Sequence, residues 1–130
     1  MLILFKHGPK KYAYDTVSGS LTPLTALAKR MLEATEVPMP PVCPTALRYE
    51  LAKYDSADVE ETYEELYQKS ASGTILAPDN GTLQTPDSDA DTARAALLAA
   101  SERLNAPVTV TGPHTAIAIE ILSPKGLFKN

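Results

Sequence analysis

Four stretches of the chain carry apolar residues at helical spacing, and the stretches between them are extended or turn-like. The first of the four follows the i, i+3, i+4, i+7, i+8 template of a helix with one buried face. We expect Thr22 to cap this helix and Pro23 to occupy its first position, where proline is favoured. The apolar positions are Leu24, Leu27, Ala28, Met31 and Leu32.

The same spacing predicts three further helices, over residues 45–54, 59–69 and 90–104. Asp58 and Asp89 precede the last two and offer carboxylate oxygens as N-caps. The proline-rich residues 37–44 separate the first helix from the second, and we expect them to form an extended, semi-rigid connector. The buried stripe of the third helix is Val59, Tyr63, Leu66 and Tyr67.

Strands are predicted towards both ends of the chain. Residues 2–5 and 11–17 flank a turn that contains Gly8 and Pro9. Residues 108–111 and 115–122 flank Gly112 and Pro113, and we expect them to form a hairpin. Its second strand alternates isoleucine with alanine, so it should be central and covered on both faces. The Asn-Gly pair at 80–81 indicates another hairpin within residues 73–84.

These elements predict a single α+β domain over residues 1–130, with helices packed on one antiparallel sheet. The sheet would be built from the N-terminal strands and the hairpin at 108–122. Within the domain, residues 22–85 form a helical segment that ends in a hairpin, and residues 89–122 form a helix followed by a hairpin. A chain of 130 residues can bury roughly two-thirds of its unfolded surface, which is enough for one core.

The order helix, short turn, helix, hairpin over residues 45–84, led by the helix at 24–32, resembles a winged-helix module. In such modules the second helix of the pair enters the major groove of DNA. Here that helix is acidic on its outer side and reaches a basic residue, Lys69, only at its end. Phosphates repel carboxylates, so the charge favours a protein as the partner of this segment.

Charge is segregated along the chain. Residues 1–35 carry five basic and two acidic side chains, a net charge of +3, whereas residues 36–91 carry three basic and twelve acidic side chains, a net charge of −9. Such segregation can steer a charged partner. The apolar run at residues 1–5 is too short for a signal peptide or a membrane helix. We therefore expect a protein of the cytoplasm, or of a host cell's cytoplasm, without membrane association.

The sequence favours a non-enzymatic interaction or regulatory protein that docks onto a larger macromolecular partner. The partner would be another protein or a second copy of this chain. The contact surface would be the acidic helix at 59–69 with its tyrosines, because tyrosine is enriched at interfaces. Its predicted contact residues are Glu60, Glu61, Glu64, Glu65, Tyr63 and Tyr67.

The alternative is a nucleic-acid-binding regulator that uses the basic N-terminal hairpin. Lysines there could hold backbone phosphates while tyrosine rings stack on bases. Four basic groups are few for phosphate-driven affinity, and a solvated turn beside packed tyrosines explains the same pattern. The residues of this alternative are Lys6, His7, Lys10, Lys11, Tyr12 and Tyr14.

No motif supplies a nucleophile, a base and an oxyanion stabiliser together, so we predict that the protein is not an enzyme and needs no cofactor. The single cysteine, Cys43, is expected to be a small buried apolar residue. Asp87, Asp89 and Asp91 alternate as calcium ligands do, but the glycine and glutamate that complete such a loop are missing. We therefore expect no metal site.

Overall fold

The N-terminal strands form the hairpin that the sequence predicts. A computed structural model describes residues 1–129, and in it β1 (Leu2–His7) pairs antiparallel with β2 (Lys10–Asp15). A third strand, β3 (Leu21–Leu24), pairs antiparallel with β2, which is therefore the central strand of this sheet.

Both faces of the three-stranded sheet are covered. Ile3 and Tyr14 pack on one face with helices α4 (Ala90–Arg103) and α5 (Thr115–Leu122), in a cluster that we call the α4–α5 core. Leu2 and Leu24 pack on the other face with helices α1 (Ala26–Ala34), α2 (Thr45–Glu50) and α3 (Ser56–Ala71), in a cluster that we call the α1–α3 core. Since side chains alternate along a strand, one short sheet separates two apolar clusters.

Five helices and a second sheet complete the α+β domain within the described residues. The helices are α1 (Ala26–Ala34), α2 (Thr45–Glu50), α3 (Ser56–Ala71), α4 (Ala90–Arg103) and α5 (Thr115–Leu122). The second sheet pairs β4 (Thr82–Gln84) in parallel with β5 (Thr109–Thr111). The α+β class is confirmed.

The first helix begins later than predicted. Residues 21–24 form β3, and Thr25 caps α1 by accepting a 3.0 Å hydrogen bond from the backbone N–H of Ala28. Pro23 lies opposite Tyr12 in an edge strand, where a missing backbone N–H costs no hydrogen bond within the sheet. The third helix also differs in its cap, because Asp55 rather than Asp58 accepts from its first backbone N–H groups.

The predicted hairpin at 108–122 is wrong. Residues 115–122 form α5, whose buried residues Ala118, Ile121 and Leu122 follow helical i, i+3, i+4 spacing. The alternation of isoleucine and alanine fits either period over eight residues, and packing against α4 decides in favour of the helix. Only 109–111 are extended, and they pair with β4 rather than with 115–122.

The predicted hairpin at 73–84 is also wrong, because residues 82–84 form one short strand that pairs in parallel with β5. Within the described residues, helices α1–α3 are therefore followed by a single strand and not by a wing. The winged-helix resemblance of residues 22–85 does not extend beyond the three helices.

The two sheets meet at Gln84. Its backbone N–H donates to Thr16 O at 2.8 Å, and the Tyr14 hydroxyl donates to its backbone carbonyl at 2.6 Å. On the other side of Gln84, Thr111 Oγ1 donates to its side-chain oxygen at 2.7 Å. Gly112 follows with a φ of 113°, and a Cβ there would lie 2.3 Å from Thr85 Oγ1, so no other residue fits without displacement.

We predict that Tyr14→Phe lowers the free energy of unfolding by about 1 kcal/mol, because it removes the hydroxyl that joins the sheets. Burial raises the pKa of Tyr14, so the hydroxyl stays protonated as a donor. Urea unfolding is the measurement, and Tyr12→Phe is the matched control because Tyr12 is only half-buried and its hydroxyl has no hydrogen bond within residues 1–129. Equal stability of Tyr14→Phe and the control would contradict the proposed link.

Candidate interaction surface

The third helix carries the acidic face that the sequence predicts. Its inner stripe is buried in the α1–α3 core and consists of Val59, Tyr63 and Leu66. The intervening positions point outward, so all four glutamates on this helix are exposed. We define the acidic face by Glu60, Glu61, Glu64 and Glu65.

The two tyrosines predicted at this surface have different environments. Tyr63 is only 2% exposed, and its hydroxyl donates a 2.6 Å hydrogen bond to the backbone carbonyl of Pro40. Burial raises its pKa, with smaller contributions from Cys43, Glu36 and Tyr67. Tyr63 therefore holds the proline-rich residues against α3 and offers little surface to a partner. Tyr67 is half-buried against the same core.

Two glutamates of the acidic face have partners and two do not. Glu60 forms an ion pair with Arg48 of α2, and Glu64 accepts a 2.9 Å hydrogen bond from the Gln68 side chain. Within residues 1–129, Glu61 and Glu65 form no ion pair. The negative charge of this face is thus only partly balanced by the chain itself, which leaves it available to an outside cation.

The proline-rich residues 37–44 do more than connect two helices. Met39 and Cys43 are buried in the α1–α3 core, so the segment folds back onto the domain instead of running as a free spacer. Burial also raises the pKa of the Cys43 thiol, against a smaller opposing effect of Arg48, which favours the unreactive thiol form. Val42, between these two anchors, and Val37, before them, are exposed.

Three exposed large apolar side chains on segments that contact α3 escaped the sequence-based prediction. Tyr49 is 79% exposed, Val42 71% and Val37 64%, whereas most large apolar residues of the domain are at least partly buried. The Arg48–Glu60 ion pair and the Tyr63–Pro40 hydrogen bond attach their segments to α3. We call this combined region the acidic–apolar surface; it comprises the acidic face together with Val37, Val42 and Tyr49.

A sequence signal for Tyr49 does exist. Tyr49 lies two positions after Leu47, and residues two apart lie on different sides of a helix. Leu47 and Leu51 are buried, so Tyr49 had to face outward if residues 45–50 were helical. No comparable signal exists for Val37 and Val42, whose exposure depends on how the irregular segment bends.

The basic N-terminal hairpin brings its four basic residues together in cross-strand pairs. Lys6 lies opposite Lys11, and His7 lies opposite Lys10. Strand alternation places Lys6 and Lys11 on the opposite face of the sheet from Tyr12, whose ring stacks on Phe5 at 5.4 Å between centroids. Lys10 and His7 share the face of Tyr12, so the four basic residues are divided between the two faces of the sheet and do not form one continuous surface with the aromatic ring.

Two further features weaken the nucleic-acid alternative. Tyr14 is fully buried in the α4–α5 core, so its ring cannot stack on a base. Asp89 caps α4 beside the hairpin tip, and hydrogen bonds from the backbone and side chain of Thr92 lower its pKa, with a smaller contribution from His7. A carboxylate that stays charged near His7 opposes phosphate binding there.

No three of the histidines, the cysteine and the acids are placed to hold a metal ion within residues 1–129. The ring Nε2 of His114 lies 2.7 Å from Ser88 O, and its backbone N–H donates to Thr85 Oγ1 at 3.0 Å. His114 thus fixes the start of α5 to the residues before α4.

Comparison with known proteins found no matching family model, no similar curated protein and no similar solved structure. Helices long and apolar enough to cross a membrane do not occur among residues 1–129.

We predict that a variant with Glu61→Gln, Glu64→Gln and Glu65→Gln keeps or slightly raises its melting temperature. These three side chains are exposed, and Glu61/Glu65 is an i, i+4 like-charge pair whose repulsion costs a few tenths of a kcal/mol. Glu60→Gln, which breaks the ion pair with Arg48, is the comparison and should lower stability by up to about 0.5 kcal/mol. A clear loss of stability in the triple variant would show that these glutamates serve the fold.

Proposed function

We propose that the chain is a non-enzymatic interaction protein that docks onto a protein partner through the acidic–apolar surface. The observation that carries the proposal is that three exposed large apolar side chains lie on segments attached to α3, the helix that carries four exposed glutamates. A plain solvated face accounts for the carboxylates, but it does not account for Tyr49, Val42 and Val37. Tyrosine and an apolar centre surrounded by charge are typical of protein interfaces.

The charge of this surface indicates the kind of partner. Only Glu60 of the four glutamates is paired with a cation of the domain, so the face attracts basic surfaces and repels nucleic-acid phosphates. The apolar side chains would supply affinity after the encounter, while the carboxylates would mainly accelerate it. The expected partner is therefore a protein with an apolar patch bordered by lysine or arginine. We expect DNA and RNA not to bind this surface.

The proposal predicts which variants lose the partner. Tagged protein would be used to capture partners from nuclease-treated lysate of the cell that makes it. Capture should fall when Glu61, Glu64 and Glu65 are changed together to glutamine, and also when Tyr49 is changed to alanine. Capture by the parent protein should weaken as salt rises, because exposed charges are screened over about 10 Å at 0.1 M salt.

A matched control removes three exposed charges elsewhere, through Asp87→Asn, Glu102→Gln and Glu120→Gln. It reduces the net negative charge to the same extent as the triple glutamate variant, without touching α3. Capture that is lost equally in this control would indicate a general charge effect, and capture that is unchanged in both test variants would contradict the proposal. The same capture from untreated lysate is the reference, and a partner that is captured there but lost after nuclease treatment would contradict the proposal and favour a nucleic-acid bridge.

A further inference from the structure

The three-stranded sheet has one protected edge and one open edge. On the β3 side the edge strand has only four residues and contains Pro23, two features that discourage pairing with another strand. On the other side, β1 has six residues, LILFKH, without proline. An apolar edge strand of this length is a template for an additional strand unless something covers it.

The register identifies the backbone groups that face outward from β1. The Thr16 N–H donates to Met1 O at 2.9 Å, so Ile3, Phe5 and His7, at alternate positions, bond to β2. The N–H and C=O groups of Leu2, Leu4 and Lys6 then point away from β2. No other backbone or side-chain group within residues 1–129 forms a hydrogen bond with them.

An open groove of about 590 Å³ runs beside this edge. Its apolar lining comes from Leu2 and Leu4 of β1, Leu32 of α1 and Leu76. Leu4 packs against neither the α1–α3 core nor the α4–α5 core, so an occupant could cover it without displacing core residues. An added strand would gain backbone hydrogen bonds along β1 and would bury alternate side chains in the groove.

The charges around the groove favour an acidic occupant. Lys29 lies in the lining but is paired with Glu33 at 3.2 Å. Lys6 on the strand and Arg103 in the lining are exposed and form no ion pair within residues 1–129. An incoming strand with a carboxylate towards each end would meet these two cations.

A second copy of the chain fits this edge less well. In antiparallel pairing of two copies of β1 centred on Leu4, Leu2 lies opposite Lys6 of the other copy. That arrangement brings the lysine of one copy towards the Arg103 end of the other, and like charges repel. The cations of the groove therefore select a strand of different composition.

We propose that the β1 edge binds an extended segment of a partner protein, with alternating apolar residues and a carboxylate near each end. The segment extends the sheet from three strands to four. This binding edge uses none of the residues of the acidic–apolar surface, so either surface could fail its test without affecting the other.

The test uses a synthetic peptide of about eight residues that alternates valine with threonine between terminal glutamates. Amide hydrogen exchange of the full chain is followed by NMR. In the free protein the amides of Leu4 and Lys6 should exchange rapidly, and those of Phe5 and His7 slowly. With free peptide at about ten times its dissociation constant, the amides of Leu4 and Lys6 should exchange about tenfold more slowly.

Charge variants provide the controls. Lys6→Glu and Arg103→Glu should each weaken peptide binding by about fivefold at low salt. Lys53→Glu makes the same charge change outside the groove and should leave binding unchanged. A peptide with lysine in place of the terminal glutamates should not protect the Leu4 and Lys6 amides.

Three results would overturn the proposal. The first is peptide binding that leaves the Leu4 and Lys6 amides unprotected. The second is an absence of binding at peptide concentrations up to about 1 mM. The third is protection of these amides in the free protein that rises with protein concentration, which would show that a second copy occupies the edge.

Discussion

The fold depends on a three-stranded sheet that is buried on both faces. In β2, Tyr14 faces the α4–α5 core while its neighbour Ala13 is fully buried on the other side. Neither cluster can close without the sheet, because each uses it as one wall. This constraint explains why a short hairpin near the start of the chain is apolar on both faces and why its polar residues gather at the tip.

The rest of the structure attaches to this sheet through a few specific contacts. Asp15 is fully buried at the end of β2, where its side chain accepts from the backbone N–H groups of Val17 and Ser18 at 2.9 and 3.0 Å. These bonds satisfy a buried carboxylate and fix the turn into β3. The Gln84 contacts join the second sheet to the first. The helices on both faces are therefore positioned by the same three-stranded sheet.

Sequence patterns correctly predicted the elements whose signals lie within a short stretch of the chain. The strands predicted at 2–5 and 11–17 are present as Leu2–His7 and Lys10–Asp15. The α4 helix with its Asp89 cap and the acidic outer side of α3 are also present. The error at 115–122 arose where a short apolar run fits two periods and tertiary packing decides between them. The error at 21–24 arose because Thr22 and Pro23 match the pattern of a helix start, although Thr25 supplies the cap. The parallel β4–β5 pair joins residues 27 positions apart, a pairing that no local pattern specifies.

The candidate surfaces were predictable to different degrees. The glutamates of α3 follow from helical periodicity, whereas the exposure of Val37 and Val42 depends on the path of an irregular segment. The open β1 edge could be identified only from the strand order in the structure, because the sequence does not show which strands lie at the edges of a sheet. Function in this domain is therefore proposed from two surfaces that the fold exposes, one acidic with apolar side chains and one with unpaired backbone groups.

We infer that the three-stranded sheet makes the two apolar clusters a single cooperative unit. Native-state hydrogen exchange of α4 amides in a Leu66→Ala variant measures this coupling most directly, because the truncated side chain lies in the α1–α3 core. If the sheet couples the clusters, the slowest α4 amides should lose as much protection as those of α3, about 2–5 kcal/mol. Unchanged protection in α4, with protection lost only around α1 and α3, would contradict the claim.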